Sequence, residues 1–166
     1  MLYKLDGWLG RLMESSQDGA WTIMRLLASA MFMTHGYEKL LGDNAQEPIG
    51  SGMTTINIAD TIVFAMPMDI NALFVAGVIE LGGGFLLAIG LWTHLIALFA
   101  MLLMIMTYAT TYLAWFPTMN DGEVTALYFV IYLAIYAFGA GPYSADSYFA
   151  VRRQEKRQKK MEANST

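Results

Sequence analysis

The chain has 166 residues, of which 56% are hydrophobic and only 14% are charged, and its formal net charge is −4. A soluble domain of this size usually carries about 25% charged residues, so the composition favours a membrane protein. The sequence contains no cysteine, which excludes thiolate metal ligands and cysteine-held Fe–S clusters, and its one short basic tail is not the basic patch typical of nucleic-acid binding.

The first element is a short amphipathic segment at residues 1–19. Apolar side chains recur there at helical spacing beside Lys4, Asp6 and Arg11. This pattern predicts a helix that lies in the inner membrane interface. No basic segment followed by an apolar stretch and a small-residue cleavage site is present, so we expect no removable signal peptide.

Four apolar windows are long enough to cross a bilayer, which takes about 20 helical residues. They lie at residues 20–41, 72–92, 95–116 and 123–140. Thr93 and His94 alone join the second window to the third, which predicts a tight helical hairpin. The predicted fold class is therefore an all-α integral membrane protein: a four-transmembrane-helix bundle with a short N-terminal interfacial helix.

The distribution of charge predicts the orientation. Between Leu40 and Val151 there is no lysine or arginine, whereas six basic residues crowd into residues 152–160. Because cytoplasmic flanks collect lysine and arginine, we expect both termini to lie in the cytoplasm and the tail to contact anionic lipid. The predicted location is the cytoplasmic membrane of a bacterium or archaeon, with a transmembrane domain at 20–147 and a basic tail at 148–166.

The loop between the first two windows is predicted to lie on the outer side. It carries four acidic residues and no basic one, and its segment 56–68 is unusually apolar. We expect this segment to fold back over the mouth of the bundle as a partly buried or interfacial piece.

Ionisable residues inside a span are costly and mark candidate sites. Arg25, His35 and Lys39 fall within an arc of about 80° on the first span. Glu80 is the one such residue of the second span, at a depth of about 12 Å, similar to that of His35. The sequence therefore predicts a pair of Glu80 with His35 or Lys39, which either fixes the helix register or handles protons at a quinone head group.

Small residues share the helical face of Glu80 and allow another backbone to approach closely. They are Ala76, Gly77, Gly83 and Gly84. Glu80 is therefore expected to face protein instead of lipid.

Three further patterns have weaker interpretations. Arg25 and Asp146 are both expected near the inner interface, where they can pair. Tyrosines at helical spacing, among them Tyr108 and Tyr132, are typical of core packing or of a quinone-lining wall. Met66 and Met68 could offer thioethers to Cu(I). The two histidines, however, are predicted on opposite sides of the membrane, which argues against a metal site and leaves no bis-histidine pair for a haem.

Three motifs resemble the signatures of the DoxX family of small four-helix membrane proteins. The first motif lies in the first span and comprises Arg25, Phe32 and the run His35-Gly36-Tyr37-Glu38-Lys39. The second motif runs from Glu80 in the second span to His94. The third motif, at the end of the fourth span, is Gly139-Ala140-Gly141-Pro142-Tyr143-Ser144-Ala145-Asp146. The resemblance covers residues 20–147. It implies roles for Arg25, His35, Lys39, Glu80 and Asp146, and a kinship with membrane subunits of quinone-linked oxidoreductases, including small subunits of thiosulfate:quinone oxidoreductases.

The predicted function is that of a membrane subunit of a quinone-linked respiratory oxidoreductase. Glu80 and His35 are the predicted catalytic residues, and the predicted quinone-binding residues are Arg25, Lys39, Tyr108 and Tyr132. No metal, haem or Fe–S cluster is expected on this chain, and the expected partners are lipid and other membrane subunits or further copies of the chain. The alternatives are a non-catalytic accessory or assembly subunit and a small solute or proton carrier.

Overall fold

The computed structural model describes residue 10 and residues 16–165 of the chain. Within residues 16–165 the protein is mostly helical. Its five helices are α1 Gln17–Leu41, α2 Ala72–Ile89, α3 Thr93–Thr111, α4 Glu123–Phe138 and α5 Ala145–Ser165. The predicted interfacial helix at 1–19 falls almost wholly outside the described residues.

Helices α1 to α4 form one bundle in which α1 packs along α2 and α3 packs along α4. The core consists mainly of residues from α3 and α4, such as Ala100 and Tyr132, with Phe32 added by α1 and Leu87 by α2. Large apolar side chains also cover the outside of α2, α3 and α4, for example Val78, Leu102 and Val130. An apolar exterior of this extent is typical of a surface that contacts something other than water.

Two of the described helices, α2 and α3, are long and apolar enough to cross a membrane. Helix α4 is apolar but, at 16 residues, shorter, and α1 carries charged residues along its length. The expected windows 20–41 and 123–140 therefore match helices, whereas their crossing of a bilayer stays a prediction.

The turn between α2 and α3 differs from the expected one. It comprises residues 90–92, and Thr93 and His94 are already helical. Gly90 ends α2 in the left-handed conformation, with φ of 68°, as glycine commonly does after a helix. The expected tight hairpin is therefore present, but its turn lies two to three residues before Thr93 and His94.

Helix α3 also ends earlier than expected, at Thr111 instead of residue 116. Thr110 Oγ1 donates to the carbonyl oxygen of Met106, a local bond that competes with the backbone ladder. The following segment is held in place by Tyr108, whose hydroxyl donates to the carbonyl oxygen of Ala114 at 3.1 Å.

The outer loop contains an antiparallel hairpin that the all-α prediction did not include. Its strands are β1 Thr55–Ile58 and β2 Thr61–Ala65, and β1 packs against α3. Strand β1 is half-buried, but every residue of β2 is exposed. The expected partial burial therefore applies to β1 and to Met66, but not to β2, and the β-branched residues of this segment explain its strand conformation.

Candidate functional site

A polar cavity of about 390 Å³ lies between the four bundle helices, near the ends that face the outer loop. We call it the polar cavity. Its lining residues are Phe32, His35, Lys39, Glu80, Met104, Thr107, Tyr112, Asp121, Val124, Thr125 and Tyr128. Three of the sequence-predicted site residues, His35, Lys39 and Glu80, thus meet at one cavity.

Glu80 and Lys39 form a direct ion pair in the wall of this cavity. Lys39 Nζ lies 2.5 Å from Glu80 Oε1, and the two side chains are 31% and 4% exposed, respectively. Of the two partners predicted for Glu80, the structure gives Lys39 as the one in contact. An acid this deeply buried requires such a partner, since an isolated charge in an apolar interior costs several kcal/mol or more.

His35 lies at the edge of the cavity. Its ring is exposed and packs edge-on against the ring of Tyr128, with the centroids 6.2 Å apart. His35 thus connects the polar cavity with the exterior of the bundle.

The local backbone explains how the pair comes together. Gly36 of α1 is buried against α2, where a Cβ atom at this position would lie 2.8 Å from the carbonyl oxygen of Gly77 and 2.9 Å from the carbonyl carbon of Glu80. Only glycine fits such an approach, and it brings Lys39, one turn further along α1, to the level of Glu80.

Glu80 itself lies in a π-helical turn, Ile79–Gly83, within α2. Such single turns insert one extra residue and are frequent at functional sites. The extra residue changes which side chains face the bundle interior. The sequence analysis did not identify this turn.

Two buried polar atoms at the polar cavity have no partner among the described residues: Glu80 Oε2 and the Tyr128 hydroxyl. An unsatisfied buried polar group costs about 1–3 kcal/mol, so such atoms need an explanation, for example a ligand. Tyr128 was expected only as one of several stacked tyrosines. One signal could have identified it. Tyr128 is the first of three tyrosines at helical spacing, with Tyr132 and Tyr136, and it lies nearest the level of His35.

The other two predicted tyrosines lie elsewhere. Tyr132 is fully buried behind Tyr128, against which it stacks at 5.9 Å, and its hydroxyl lies 3.5 Å from the carbonyl oxygen of Ala28. Tyr108 lines a separate cavity beside Trp115 and Phe129. Neither lines the polar cavity, so the core-packing interpretation describes Tyr132 better than a ligand-lining one.

Arg25 lies at the opposite end of the bundle. It precedes Lys39 by fourteen residues, about 21 Å along α1, and is 1% exposed. Its Nη2 donates to the carbonyl oxygen of Tyr143 at 2.8 Å. Arg25 and Lys39 therefore do not form one cationic site, contrary to their joint assignment as quinone-binding residues.

The expected pair of Arg25 with Asp146 is not a direct ion pair: no salt bridge joins these two side chains, although their charges interact. Asp146 instead accepts hydrogen bonds from the backbone N–H groups of Trp92, at 3.0 Å, and Thr93, at 2.9 Å. These N–H groups open helix α3 and have no intrahelical acceptor, so the carboxylate accepts from them, and its interaction with the Arg25 guanidinium is electrostatic only. Burial alone would raise the pKa of Asp146, but the hydrogen bonds from Thr93 and Trp92 outweigh it and hold that pKa below its ordinary value.

Metal ligands do not cluster in the part of the chain that the structure describes. No group of three or more His, Asp or Glu side chains there could hold a metal ion.

Comparisons with known proteins identify the family. A protein of Haemophilus influenzae, described as uncharacterized, is 32% identical over 131 residues, which cover 76% of this chain and 87% of that protein. No solved structure is similar to the chain. The family model that matches is DoxX, over residues 20–113, which include most of α1, all of α2 and α3, and both residues of the Lys39–Glu80 pair. The chain therefore belongs to the DoxX family of membrane proteins.

Proposed function

We propose that this protein is a membrane subunit of a quinone-linked oxidoreductase and that its polar cavity binds the quinone ring. One observation carries the proposal: the buried Lys39–Glu80 pair leaves Glu80 Oε2 without a partner beside the polar cavity. A structural ion pair needs no adjoining cavity, whereas a proton-handling acid does.

The side chains present fit a quinone ring. Lys39 Nζ and the Tyr128 hydroxyl can donate hydrogen bonds to ring carbonyl oxygens, and Phe32, Met104 and Val124 supply apolar walls. A quinone accepts two electrons and two protons when it is bound at such a site. The unpartnered oxygen of Glu80 is the atom from which a proton would reach the ring.

The remaining polar residues have supporting roles in this proposal. Lys39 holds Glu80 in position and lowers the cost of its charge. His35, exposed at the cavity edge, exchanges protons with the outside and relays them toward Glu80. Asp121, also exposed, lies at the mouth.

The electrons come from another subunit in this scheme. The chain has no cysteine, and its two histidines lie at different levels of the bundle, one beside Tyr128 and the other beside Tyr136, so it offers no ligand set for an Fe–S cluster or a bis-histidine haem. Partner subunits, or further copies of the chain, are therefore part of the proposal.

We also propose that all of α1 to α4 span the cytoplasmic membrane of a bacterium or archaeon. The apolar exterior of α2, α3 and α4 supports this, as do the burial of Arg25 in α1 and the pairing of Lys39 of α1 with Glu80 of α2. Residues 1–19 would lie in the inner interface and the basic tail 148–166 in the cytoplasm, where anionic lipid attracts it.

A second candidate is a non-catalytic accessory subunit. The contact of Gly36 with the α2 backbone favours it, because a helix pair fixed so closely can use Lys39–Glu80 as a register lock alone. In that case the polar cavity would need no ligand.

Binding of a tailless ubiquinone ring to the purified full chain in detergent, measured by calorimetry, tests the proposal. We expect Glu80→Gln and Tyr128→Phe to weaken binding at least tenfold, because each alters a polar atom that faces the ring. Glu38→Gln is the matched control, since Glu38 is exposed on the same helix as Lys39.

Two outcomes decide between the candidates. If the wild-type protein binds no quinone, the proposed function is wrong and the accessory role stands. If Glu80→Gln folds normally and loses binding while Glu38→Gln keeps it, the accessory-only interpretation fails.

A further inference from the structure

A second cavity lies under the hairpin, between α2 and α3. It has a volume of about 210 Å³, and we call it the methionine groove because Met53, Met66 and Met106 line it. Its other walls are largely aliphatic and include Ala76, Ile79 and Leu103. No part of the proposed quinone-ring chemistry uses this groove.

The methionine groove adjoins the polar cavity. Lys39 and Thr107 line both, so these two side chains form the shared wall. The ammonium group of Lys39 is directed to Glu80, while its aliphatic stem can border the groove. A molecule with a polar ring and an apolar chain could therefore occupy both spaces at once.

The groove also reaches the exterior of the bundle. Val75, Ile79 and Leu103 on its walls are half-buried, and their neighbours Val78 and Leu102 are exposed. If α2 and α3 cross the membrane, this opening faces hydrocarbon. An apolar chain could then continue from the groove into the bilayer without entering water.

We propose that the methionine groove holds the isoprenoid tail of a quinone whose ring occupies the polar cavity. This inference rests on the proposed function and specifies its ligand as a lipid-soluble, long-tailed quinone. Methionine suits this role, because its flexible and polarizable thioether adapts to irregular apolar chains. The carbon atoms of the tail that enter the groove gain burial that a tailless ring cannot obtain.

The test compares decylubiquinone with the same ring lacking its tail. Both are titrated by calorimetry against the full chain and against two groove-filling variants, Ala76→Phe and Thr110→Phe. Ala76 is buried on α2, while Thr110 is half-buried on α3, so the second variant remains informative if the first does not fold. Val78→Phe, on the exposed face of α2, is the matched control.

We expect the wild-type protein and Val78→Phe to bind decylubiquinone at least tenfold more tightly than the tailless ring. In the groove-filling variants this preference should fall to threefold or less, with binding of the tailless ring unchanged. A preference that survives in those variants would reflect partition of the tail into detergent and would overturn the inference, as would equal wild-type affinities. Absence of binding by both probes would instead refute the proposed function itself, and this inference with it.

Discussion

Asp146 joins three backbone groups at the end of the bundle opposite the Lys39–Glu80 pair. Its carboxylate accepts from the N–H groups of Trp92 and Thr93, and its own N–H donates to the carbonyl oxygen of Gly90 at 2.9 Å. One residue from the start of α5 thus caps α3 and fixes the turn that follows α2. The arrangement requires a short acidic side chain, because both oxygen atoms are used.

The lowered pKa of Asp146 makes this clamp dependent on pH. Because the folded-state pKa lies below the unfolded value of about 3.9, the ionised carboxylate contributes stability above that value. This contribution is lost as the pH falls through the folded-state pKa. We expect Asp146→Asn to lower the free energy of unfolding by about 1 kcal/mol at pH 7, the usual cost of a lost cap.

Thermal unfolding of the detergent-solubilised chain at several pH values measures this effect. The gap between wild type and Asp146→Asn should close as the pH drops below about 4. Asp60→Asn, at the exposed tip of the hairpin, is the control and should match wild type throughout. Equal stability of Asp146→Asn and wild type at neutral pH would contradict the clamp.

At the scale of elements, glycines set the distance between α1 and α2. Gly36 faces the backbone of α2, and a Cβ atom on Gly84 would lie 3.0 Å from the carbonyl oxygen of Ser29 in α1. The two helices therefore approach closely at two levels. The approach at Gly84 supports the packing of the two helices, and the approach at Gly36 positions Lys39 against Glu80.

Gly36→Ala tests this approach. The added methyl group would collide with the backbone of α2, so α1 must move outward, and we expect a loss of about 1–3 kcal/mol together with a longer Lys39–Glu80 distance. Gly82→Ala is the matched control, because a Cβ atom there meets nothing within 4 Å.

Melting temperature and binding of the tailless quinone ring are measured on both variants. Gly36→Ala should lower both the melting temperature and the affinity, whereas Gly82→Ala should change neither by much. A Gly36→Ala variant as stable as wild type would show that the helices are not in contact at this level.

Part of this arrangement could be predicted from the sequence. The small-residue face of α2 and the similar depth of Glu80 and the first-span cations follow from helical periodicity alone. That Glu80 pairs with Lys39 and not with His35 does not follow from periodicity. The pairing depends on the π-turn, and a single inserted residue leaves no periodic pattern in the sequence. Tyr128 was missed as a site residue because helical periodicity places three tyrosines of the same helix on one face, and only their depth relative to His35 separates them.

At the scale of the whole molecule, charge is segregated along the axis of the bundle. The exposed helix α5 carries six basic residues, which lie within an arc of about 160° on one face. Near its start, the guanidinium of Arg152 lies 5.2 Å from the ring centre of Tyr148. The outer loop, in contrast, carries acidic residues and no lysine or arginine. This asymmetry predicts that α5 and the hairpin lie on opposite sides of the membrane.

Introduced cysteines can test how many helices cross, since the natural sequence has none and each new thiol is therefore unique. Asp18→Cys lies in the first turn of α1, Asp60→Cys in the hairpin and Gln158→Cys on α5; all three positions are exposed. With four crossings, a membrane-impermeant maleimide should label Asp60→Cys on intact cells, and the other two only after permeabilisation. If only α2 and α3 cross, Asp60 and Gln158 lie on the same side and must label together. Labelling of Asp18→Cys on intact cells alongside Asp60→Cys would show that α1 does not cross, and the polar cavity would then lie outside a membrane-embedded bundle.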